Sequence, residues 1–222
     1  MIYGICGKKR TGKDTVAQIV AHNFTGVEVI ALADEIKAIL KRSMEHHDNT
    51  QLRALAAKNP FYDGDREAPL VMSNNDAHEL FMSGIKKLKS RGFYMSTADI
   101  SSYQICEANT QPWTIRRLMQ VFGTDIVCAV DPSIWTSIAL QKMLKSYADH
   151  FIITDVRQPH EYKYLSKFGT RFVFLERNTG IEDNHSTEKG LTPGLSDYTI
   201  LNNGTLDDLK RNVLNVFKPL RV

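Results

Sequence analysis

Two spacings of apolar residues alternate along the chain. Short, continuous apolar runs of the kind found in strands buried on both faces occur at residues 2–6, 27–32, 151–155, 170–177 and 198–201. Between these runs, apolar residues recur every three or four positions, as on one face of a helix. This alternation predicts an α/β fold in which five parallel strands form a sheet flanked by helices.

The helical segments carry recognisable start and stop signals. They are predicted at residues 14–22, 34–44, 113–123, 133–147 and 160–169, with a last helix from 206 onward. Asp34 is placed as the N-cap of the second helix, and Gly123 as the stop of the third. Thr205 and Asp208 occupy the N-cap and N3 positions of the last helix, where they can cap its first turn.

Residues 46–111 differ in their residue pattern from both ends of the chain. They mix Asn, Asp, Pro and Gly with short helical stretches instead of alternating strands with helices. We predict a core domain made of residues 1–45 and 112–222. Residues 46–111 are then an inserted, mostly helical region that binds the substrate or covers the site as a lid.

Composition narrows the class of protein. The chain has 222 residues, ordinary globular content (42% hydrophobic, 24% charged) and a net charge of only +3, which does not indicate a stable nucleic-acid partner. Its three widely spaced cysteines are typical of a reducing, cytoplasmic environment. No apolar run approaches the roughly 20 residues that a membrane helix needs, so no membrane association is expected.

The segment GKKRTGKDT follows the first strand and precedes the first helix. Gly7, four residues, then Gly12 and Lys13 give the spacing of a loop that binds the phosphates of a nucleoside triphosphate. The glycines let backbone N–H groups turn toward phosphate oxygens, and the helix N-terminus adds partial positive charge. Lys13 would reach the β- and γ-phosphates. The alternative is a generic Gly-rich turn.

The candidate ligands of Mg²⁺ are Asp14, Thr15 and Asp155. Asp14 stands where such loops usually carry the Ser or Thr whose hydroxyl binds the metal. An aspartate there could act through a water molecule or cap the helix, and Thr15 could supply the hydroxyl instead. Asp155 ends a buried strand, a position suited either to organising the metal or to capping a helix.

Cations on several elements are a second requirement for phosphoryl transfer, because charge on the transferring group must be neutralised. Lys9 and Arg10, beside Thr11 in the loop, either contact phosphates or form solvated surface. Further cations are Lys37, Arg66, Arg116, Arg117, Arg157 and Arg177. Each of these alone is typical of a surface ion pair. Asp34 and Glu161 would orient a substrate or an arginine, or serve as a cap or salt-bridge partner.

Together these segments resemble a known family. GKKRTGKDT, ALADEIK, DGDRE, PWTIRRLMQVFGTD, TDVRQPHE, DNHSTEKGL and ILNNGTLDDL are similar, in order and spacing, to segments of the T-even-type phage deoxynucleoside monophosphate kinases of the P-loop kinase superfamily. The form Lys-Arg-x-Gly-Lys-Asp-Thr is characteristic of that group. Asp14 therefore looks like a family trait.

The resemblance implies transfer of the γ-phosphate of ATP, bound with Mg²⁺, to a deoxynucleoside monophosphate, giving the diphosphate and ADP. Lys13 would then hold the donor phosphates. Arg66 and Lys37 would bind the acceptor phosphate, and Arg116 or Arg117 would neutralise the transferring group.

The resemblance also implies the remaining parts of the site. Asn203 and Gly204 fall where such kinases seat the adenine of ATP by backbone contacts. Apart from the resemblance, the aromatic candidates for stacking on the acceptor base are Trp113, Phe61, Tyr62 and Tyr103, and for each of them the alternative is core or surface packing. The DNHSTEKG segment, with His185 and Glu188, has no assigned chemistry. Such kinases are usually homodimers, and a phage-encoded kinase would act in the host cytoplasm.

Three alternatives stay open. A small-metabolite kinase such as phosphomevalonate kinase has a similarly Lys- and Arg-rich loop. An NTP-binding regulatory module would hydrolyse ATP slowly without an acceptor and bind DNA in a salt-sensitive way. A scaffold with a vestigial loop would not bind MgATP.

Overall fold

The computed structural model describes residues 1–8, 10–178 and 191–220. These residues form two compact units. The sheet unit combines Met1–Leu32 with Trp135–Val222, and the helical unit is Ala33–Ile134. The predicted inserted region, residues 46–111, falls within the helical unit, and its role in binding a substrate stays a prediction.

The sheet unit is built on parallel strands. They are β1 (Ile2–Cys6), β2 (Val27–Ile30), β3 (His150–Val156), β4 (Arg171–Glu176) and β5 (Tyr198–Leu201). Their order across the sheet is β2-β3-β1-β4-β5, with β1 at the centre and every neighbouring pair parallel. The predicted α/β fold with a five-stranded parallel sheet is therefore confirmed over the described residues.

Helices connect the strands and make up the helical unit. In chain order they are α1 (Lys13–Asn23), α2 (Leu32–Glu45), α3 (Thr50–Ala57), α4 (Asn74–Ser90), α5 (Ala98–Glu107), α6 (Ile115–Gln120), a π-helical segment (Val121–Cys128), α7 (Ile134–Met143), α8 (Pro159–Ser166), α9 (Leu206–Val216) and a 3₁₀ turn (Lys218–Leu220). Within the described ranges, none of the helices has the length and apolar character needed to cross a membrane.

The core of the sheet unit contains residues of α1, α9 and the central strand. Val16 and Val20 of α1 and Val213 of α9 are fully buried in one cluster with Tyr3 of β1. The ring of Tyr3 lies 4.6 Å from that of Phe217, which follows α9. Burial of these side chains anchors α1 on the sheet. Because α1 starts directly after the Gly-rich loop, the same packing fixes one end of that loop.

The helical unit packs around α4. Ser73 and Asp76 form a capping box at the start of this helix. Phe81, at its centre, stacks on Phe122 with ring centroids 6.0 Å apart and meets the edge of Trp113 at 5.7 Å. The aromatic cluster is fully or almost fully buried. It therefore joins α4 to the segments on both sides of α6.

Two predicted helix signals, the N-cap at Asp34 and the stop at Gly123, are wrong, and the helices predicted at 133–147 and 160–169 end earlier, at Met143 and Ser166. Helix α2 begins at Leu32, so Asp34 lies inside its first turn and is not the N-cap. The helix that begins at Ile115 does not stop at Gly123 but continues as a π-helical segment. A Cβ at Gly123 would lie 2.6 Å from the Cδ1 of Ile36, so this glycine serves close packing and not helix termination.

The predicted cap of the last helix is confirmed. The side chain of Thr205 accepts the N–H of Asp208 at 3.2 Å, and the carboxylate of Asp208 accepts the N–H of Thr205 at 3.1 Å. The Thr205 hydroxyl also donates to the Asp208 carboxylate at 2.7 Å, and this bond, together with the bond from the Thr205 N–H, holds the pKa of Asp208 below its usual value. This capping box thus fixes the direction of the chain within the first turn of α9, shortly after β5.

Candidate active site

The Gly-rich loop lies between β1 and α1, where the sequence predicts a phosphate-binding loop. Gly7 and Gly12 have φ angles of +154° and +101°, which favour glycine. A Cβ at Gly7 would lie 2.7 Å from the carbonyl oxygen of Leu175, and one at Gly12 would lie 2.7 Å from Nδ2 of Asn202. Both glycines are therefore required by backbone conformation and by space.

The residues between the two glycines differ in exposure. Arg10 is exposed and has a left-handed φ of +63°. Thr11 is buried, and its hydroxyl donates to the carbonyl of Lys8 at 2.9 Å. Lys9 lies outside the described residues. Thr11 thus closes the loop on itself, while Arg10 is open to solvent or a ligand.

Lys13 is the first residue of α1 and is buried, with 7% of its surface exposed. Its Nζ donates to the carbonyl oxygens of Gly7 and Lys8, each at 2.6 Å. The ammonium group is therefore held at the loop by the loop's own carbonyl oxygens. This location suits a residue that binds phosphate at the same loop.

Asp14 and Thr15 occupy the first turn of α1. Asp14 is exposed, and Thr15 is partly buried. An acidic residue in this turn interacts favourably with the helix dipole even without a metal. Within the described residues, no group of three or more His, Cys, Asp or Glu side chains is arranged to hold a metal ion.

Asp155 lies near the end of β3 and contacts the start of α2. Its Oδ1 accepts the backbone N–H of Leu32 at 2.7 Å. The first N–H groups of a helix have no partner within the helix, so this bond satisfies one of them. The capping role foreseen for Asp155 is thus present at the start of α2.

Glu161 caps the helix on which it lies. Its Oε2 accepts the N–H groups of Arg157 and Gln158 at 2.8 and 2.9 Å, at the start of α8. Burial raises the pKa of Glu161 to about 7, against the opposing effect of these hydrogen bonds and with a further rise from the charge of Asp155. The predicted capping alternative for Glu161 is therefore observed.

The segment after β5 reaches the Gly-rich loop through a residue that the sequence analysis missed. Asn202 is buried, and its Nδ2 donates to the carbonyl of Thr11 at 2.8 Å. The predicted adenine contacts Asn203 and Gly204 follow directly and are exposed. Oδ1 of Asn203 accepts the N–H of Asn178 at 3.0 Å. The signal for Asn202 was its place at the carboxyl end of a strand two positions from β1 in the sheet.

In the helical unit, Asp34 and Lys37 of α2 form a polar cluster with Tyr62. Asp34 Oδ1 accepts from Lys37 Nζ at 2.9 Å and from the Tyr62 hydroxyl at 3.3 Å. Lys37 Nζ also lies 4.3 Å from the centroid of the Tyr62 ring. Burial, and then the charge of Asp34, raises the pKa of Tyr62. Lys37 and Asp34, both predicted to bind substrate, are thus brought together with one aromatic candidate.

The DGDRE segment and helix α6 are joined in the same unit. The backbone N–H of Arg116 donates to the carbonyl of Arg66 at 3.0 Å, and the Arg116 side chain forms an ion pair with Glu67. Two predicted phosphate-binding arginines are therefore adjacent. Glu67 is more than half exposed, so solvent reaches the ion pair at its carboxylate, whereas the Nε of Arg116 is buried.

Trp113 is a core residue in this unit and does not present an open face as predicted for base stacking. It is 2% exposed, and its Nε1 donates to Oδ1 of Asn74 at 2.8 Å. The guanidinium of Arg117 lies 4.8 Å from its ring centroid, so Trp113 supports Arg117. Phe61 is also fully buried. The exposed aromatic candidates are Tyr62 and Tyr103.

The DNHSTEKG segment, with His185 and Glu188, lies outside the described residues. Arg157 is partly buried near the end of β3. The candidate residues therefore fall into two sets. The sheet unit holds the loop, Asp155, Arg157, Glu161, Asn203 and Gly204, and the helical unit holds Asp34, Lys37, Arg66, Trp113, Arg116 and Arg117.

Comparison with known proteins relates the chain to one family. The family described as deoxynucleotide monophosphate kinase matches residues 1–213. The chain is 31% identical over 241 aligned positions to the deoxynucleotide monophosphate kinase of Escherichia phage RB69, covering 96% of this chain and 98% of that protein. It is 29% identical over 239 positions to that of Enterobacteria phage T4, covering 97% and 98%. The chain belongs to the deoxynucleotide monophosphate kinase family.

Proposed function

We propose that this protein transfers the γ-phosphate of ATP to a deoxynucleoside 5′-monophosphate, releasing the deoxynucleoside diphosphate and ADP. The observation that carries the proposal is the loop from Gly7 to Lys13, located between the central strand and α1 in a chain of this kinase family. An oxygen of the acceptor phosphate attacks the γ-phosphorus of ATP. The bond from that phosphorus to the β,γ-bridging oxygen breaks, and ADP leaves.

On the donor side, the loop binds the triphosphate. Backbone N–H groups and Lys13 contact its phosphate oxygens, with Lys9, Arg10 and Thr11 completing the loop. Support comes from the buried ammonium of Lys13, which already lies at the loop. Asn203 and Gly204 are proposed to seat the adenine.

Asp14, Thr15 and Asp155 are the proposed ligands of Mg²⁺. Their carboxylate and hydroxyl oxygens are the donors that Mg²⁺ prefers, and this ion is usually bound by one or two protein carboxylates together with substrate phosphates. When bound, Mg²⁺ would neutralise charge on the phosphates. The residues present fit that requirement by their chemistry.

On the acceptor side, cations of the helical unit bind the monophosphate. Arg66 and Lys37 are proposed to contact its phosphate, and Arg116 and Arg117 to neutralise the transferring group. Arg157 of the sheet unit is proposed to help neutralise the same group. Asp34 orients Lys37, with which it forms a 2.9 Å hydrogen bond. Trp113 holds Arg117, and Glu161 holds the start of α8 that follows Arg157. The acceptor base is proposed to stack on Tyr62, which is 54% exposed beside Lys37.

The expected partners are small nucleotides in the host cytoplasm, without stable binding of nucleic acid or membrane. A homodimer, which the resemblance implies, stays a prediction. Size-exclusion chromatography with light scattering tests it directly.

The experiment that tests the function measures ADP release from MgATP with each deoxynucleoside monophosphate, each ribonucleoside monophosphate and mevalonate 5-phosphate in turn. The proposal expects acceptor-dependent ADP formation with one or more of the deoxynucleoside monophosphates. ADP formation with mevalonate phosphate alone would indicate a metabolite kinase. Equal ADP formation without any acceptor would indicate a regulatory NTPase, and no ADP under any condition would indicate a vestigial loop.

A further inference from the structure

Asn202 is a buried polar residue at the junction of β5 and the loop. Only 7% of its surface is exposed, so its amide needs hydrogen-bond partners within the protein. Its backbone N–H donates to the carbonyl of Glu176 on β4 at 2.8 Å. Its side-chain Nδ2 donates to the carbonyl of Thr11 at 2.8 Å. The backbone bond to Glu176 therefore fixes the residue that follows β5. From there the Asn202 side chain extends to the backbone of the phosphate loop.

The carbonyl that Asn202 contacts belongs to the peptide group joining Thr11 and Gly12. In a planar trans peptide, the C=O and the following N–H point in opposite directions. A hydrogen bond that holds the Thr11 carbonyl toward Asn202 consequently turns the Gly12 N–H away from Asn202. The orientation of a loop N–H group, which is what binds a phosphate oxygen, is thus set by a residue 191 positions away in the chain.

Close packing around Gly12 also indicates that Asn202 orients this part of the loop. A Cβ on Gly12 would lie 2.7 Å from Nδ2 of Asn202, so the amide lies directly against the loop backbone. Thr11 is buried, and its hydroxyl bonds to Lys8 of the same loop. Thr11 is therefore held at its hydroxyl by Lys8 and at its carbonyl by Asn202.

We propose that Asn202 is a positioning residue for the phosphate loop, which orients the Thr11–Gly12 peptide for binding of the ATP phosphates. The inference rests on the proposed function. It assigns Asn202 an effect on the triphosphate, in contrast to the neighbouring Asn203 and Gly204, which are proposed to contact adenine. Asparagine suits this position because it is short, uncharged and carries the N–H donor that a carbonyl requires.

The test uses Asn202→Asp and Asn202→Ala in the full chain. The aspartate places a carboxylate against the Thr11 carbonyl, and the alanine removes the donor. Asn212→Asp, an exposed position on α9, is the matched control for the change of charge. Binding of MgATP is measured by calorimetry, inorganic tripolyphosphate is measured as a competitor of ATP, and the KM values for ATP and for the deoxynucleotide are determined separately.

We expect both Asn202 variants to weaken MgATP and tripolyphosphate by the same factor, roughly five- to twentyfold, as loss of one well-placed hydrogen bond predicts. The KM for the deoxynucleotide should stay within about twofold of the wild type, since the change is confined to the triphosphate loop. Asn212→Asp should match the wild type in every measurement.

Several results would overturn the inference. One is unchanged affinity for both compounds, and another is a loss for ATP with unchanged tripolyphosphate, which would make Asn202 an adenine contact. Lack of competition by tripolyphosphate in the wild type would also contradict it. Loss of fold in both variants, seen by circular dichroism, would make the residue purely structural. Failure of the proposed function is distinguishable, because it appears in the wild type as absence of acceptor-dependent ADP.

Discussion

The carboxylate of Asp155 accepts the backbone N–H of Leu32 at a distance of 2.7 Å. This bond connects the end of β3 to the first residue of α2, over 123 positions of sequence. It gives Asp155 a structural role that can be measured separately from a role in binding Mg²⁺. Asp155→Asn and Asp155→Ala separate the two roles, because only the asparagine keeps an oxygen that can accept the Leu32 N–H.

For Asp155, we expect Asp155→Ala to lower the free energy of unfolding by about 1.5–3 kcal/mol, the range for a hydrogen bond to a charged group. Asp155→Asn should lose less, since its amide oxygen can still accept the Leu32 N–H. Both variants should lose kinase activity, because the negative charge proposed to bind Mg²⁺ is gone. Urea unfolding and the ADP assay measure the two effects. Wild-type activity in Asp155→Asn would rule out a role for the charge.

For Lys13, we expect Lys13→Ala to reduce turnover on the order of 10³-fold, as removal of a principal phosphate contact does. The secondary structure should persist, because the Lys13 side chain bonds to loop carbonyls and not to the apolar core. Lys210→Ala, at an exposed position on α9, is the control. Activity above about a tenth of the wild type in a folded Lys13→Ala protein would contradict the assignment.

The raised pKa of Glu161 makes stability depend on pH. Its pKa is about 7 in the folded chain against 4.5 as the ordinary value, so the unfolded chain releases this proton at lower pH. The contribution of Glu161 is therefore favourable at low pH and is lost as the pH rises from about 4.5 to about 7. Glu161→Gln stays uncharged and keeps an oxygen for the N–H groups of Arg157 and Gln158.

Comparison of urea unfolding at pH 5 and pH 8 checks this expectation. Relative to the wild type, Glu161→Gln should gain on the order of 1–3 kcal/mol in unfolding free energy between the two pH values. An equal pH dependence in both proteins would show that Glu161 is ionised in the folded chain at pH 5.

For Arg66, we expect Arg66→Ala to raise the KM for the deoxynucleotide about 10- to 100-fold and to leave the KM for ATP unchanged, because a charge-assisted bond to the acceptor phosphate is lost. Arg66→Lys should restore only part of it, since lysine cannot make the paired contact of a guanidinium. Arg42→Ala, exposed in the last turn of α2, is the control. A rise in the KM for ATP instead would indicate that Arg66 binds the phosphate donor.

Tyr62 and Tyr103 give a matched pair for the acceptor base. Both are more than half exposed, but Tyr62 alone of the two contacts the Asp34–Lys37 pair. We expect Tyr62→Ala to raise the KM for the deoxynucleotide by roughly 5- to 100-fold, the range for one base–aromatic stack. Tyr62→Phe should keep most of the affinity, and Tyr103→Ala all of it. A raised KM for the deoxynucleotide in Tyr103→Ala but not in Tyr62→Ala would indicate that the base stacks on Tyr103.

Most of the regular structure is determined locally. Continuous apolar runs mark buried parallel strands because both faces of such strands pack against helices, and each predicted run matches an observed strand. The positive φ angles of the loop glycines are properties of single residues, and the capping box joins Thr205 to Asp208, which lie close together in the chain. Such features are legible in the sequence, since their partners are neighbours in the chain.

What failed, or was missed, depends on residues distant in sequence. Asp34 does not cap α2, because Asp155 from β3 supplies an acceptor at Leu32. Gly123 does not end its helix, because Ile36 packs against it. In each case the local signal was correct for an isolated segment. In the folded chain, a contact from another element gave the residue a different role.

The sequence by itself therefore determined the kind of fold, the phosphate loop and its lysine, since these rest on periodicity and on backbone freedom within a short segment. Only the tertiary structure decided that Trp113 is buried behind Arg117 and that Asn202 holds the Thr11 carbonyl. The physical reason is that burial and hydrogen-bond pairing are properties of two surfaces. No spacing within one segment specifies which distant residue will meet it.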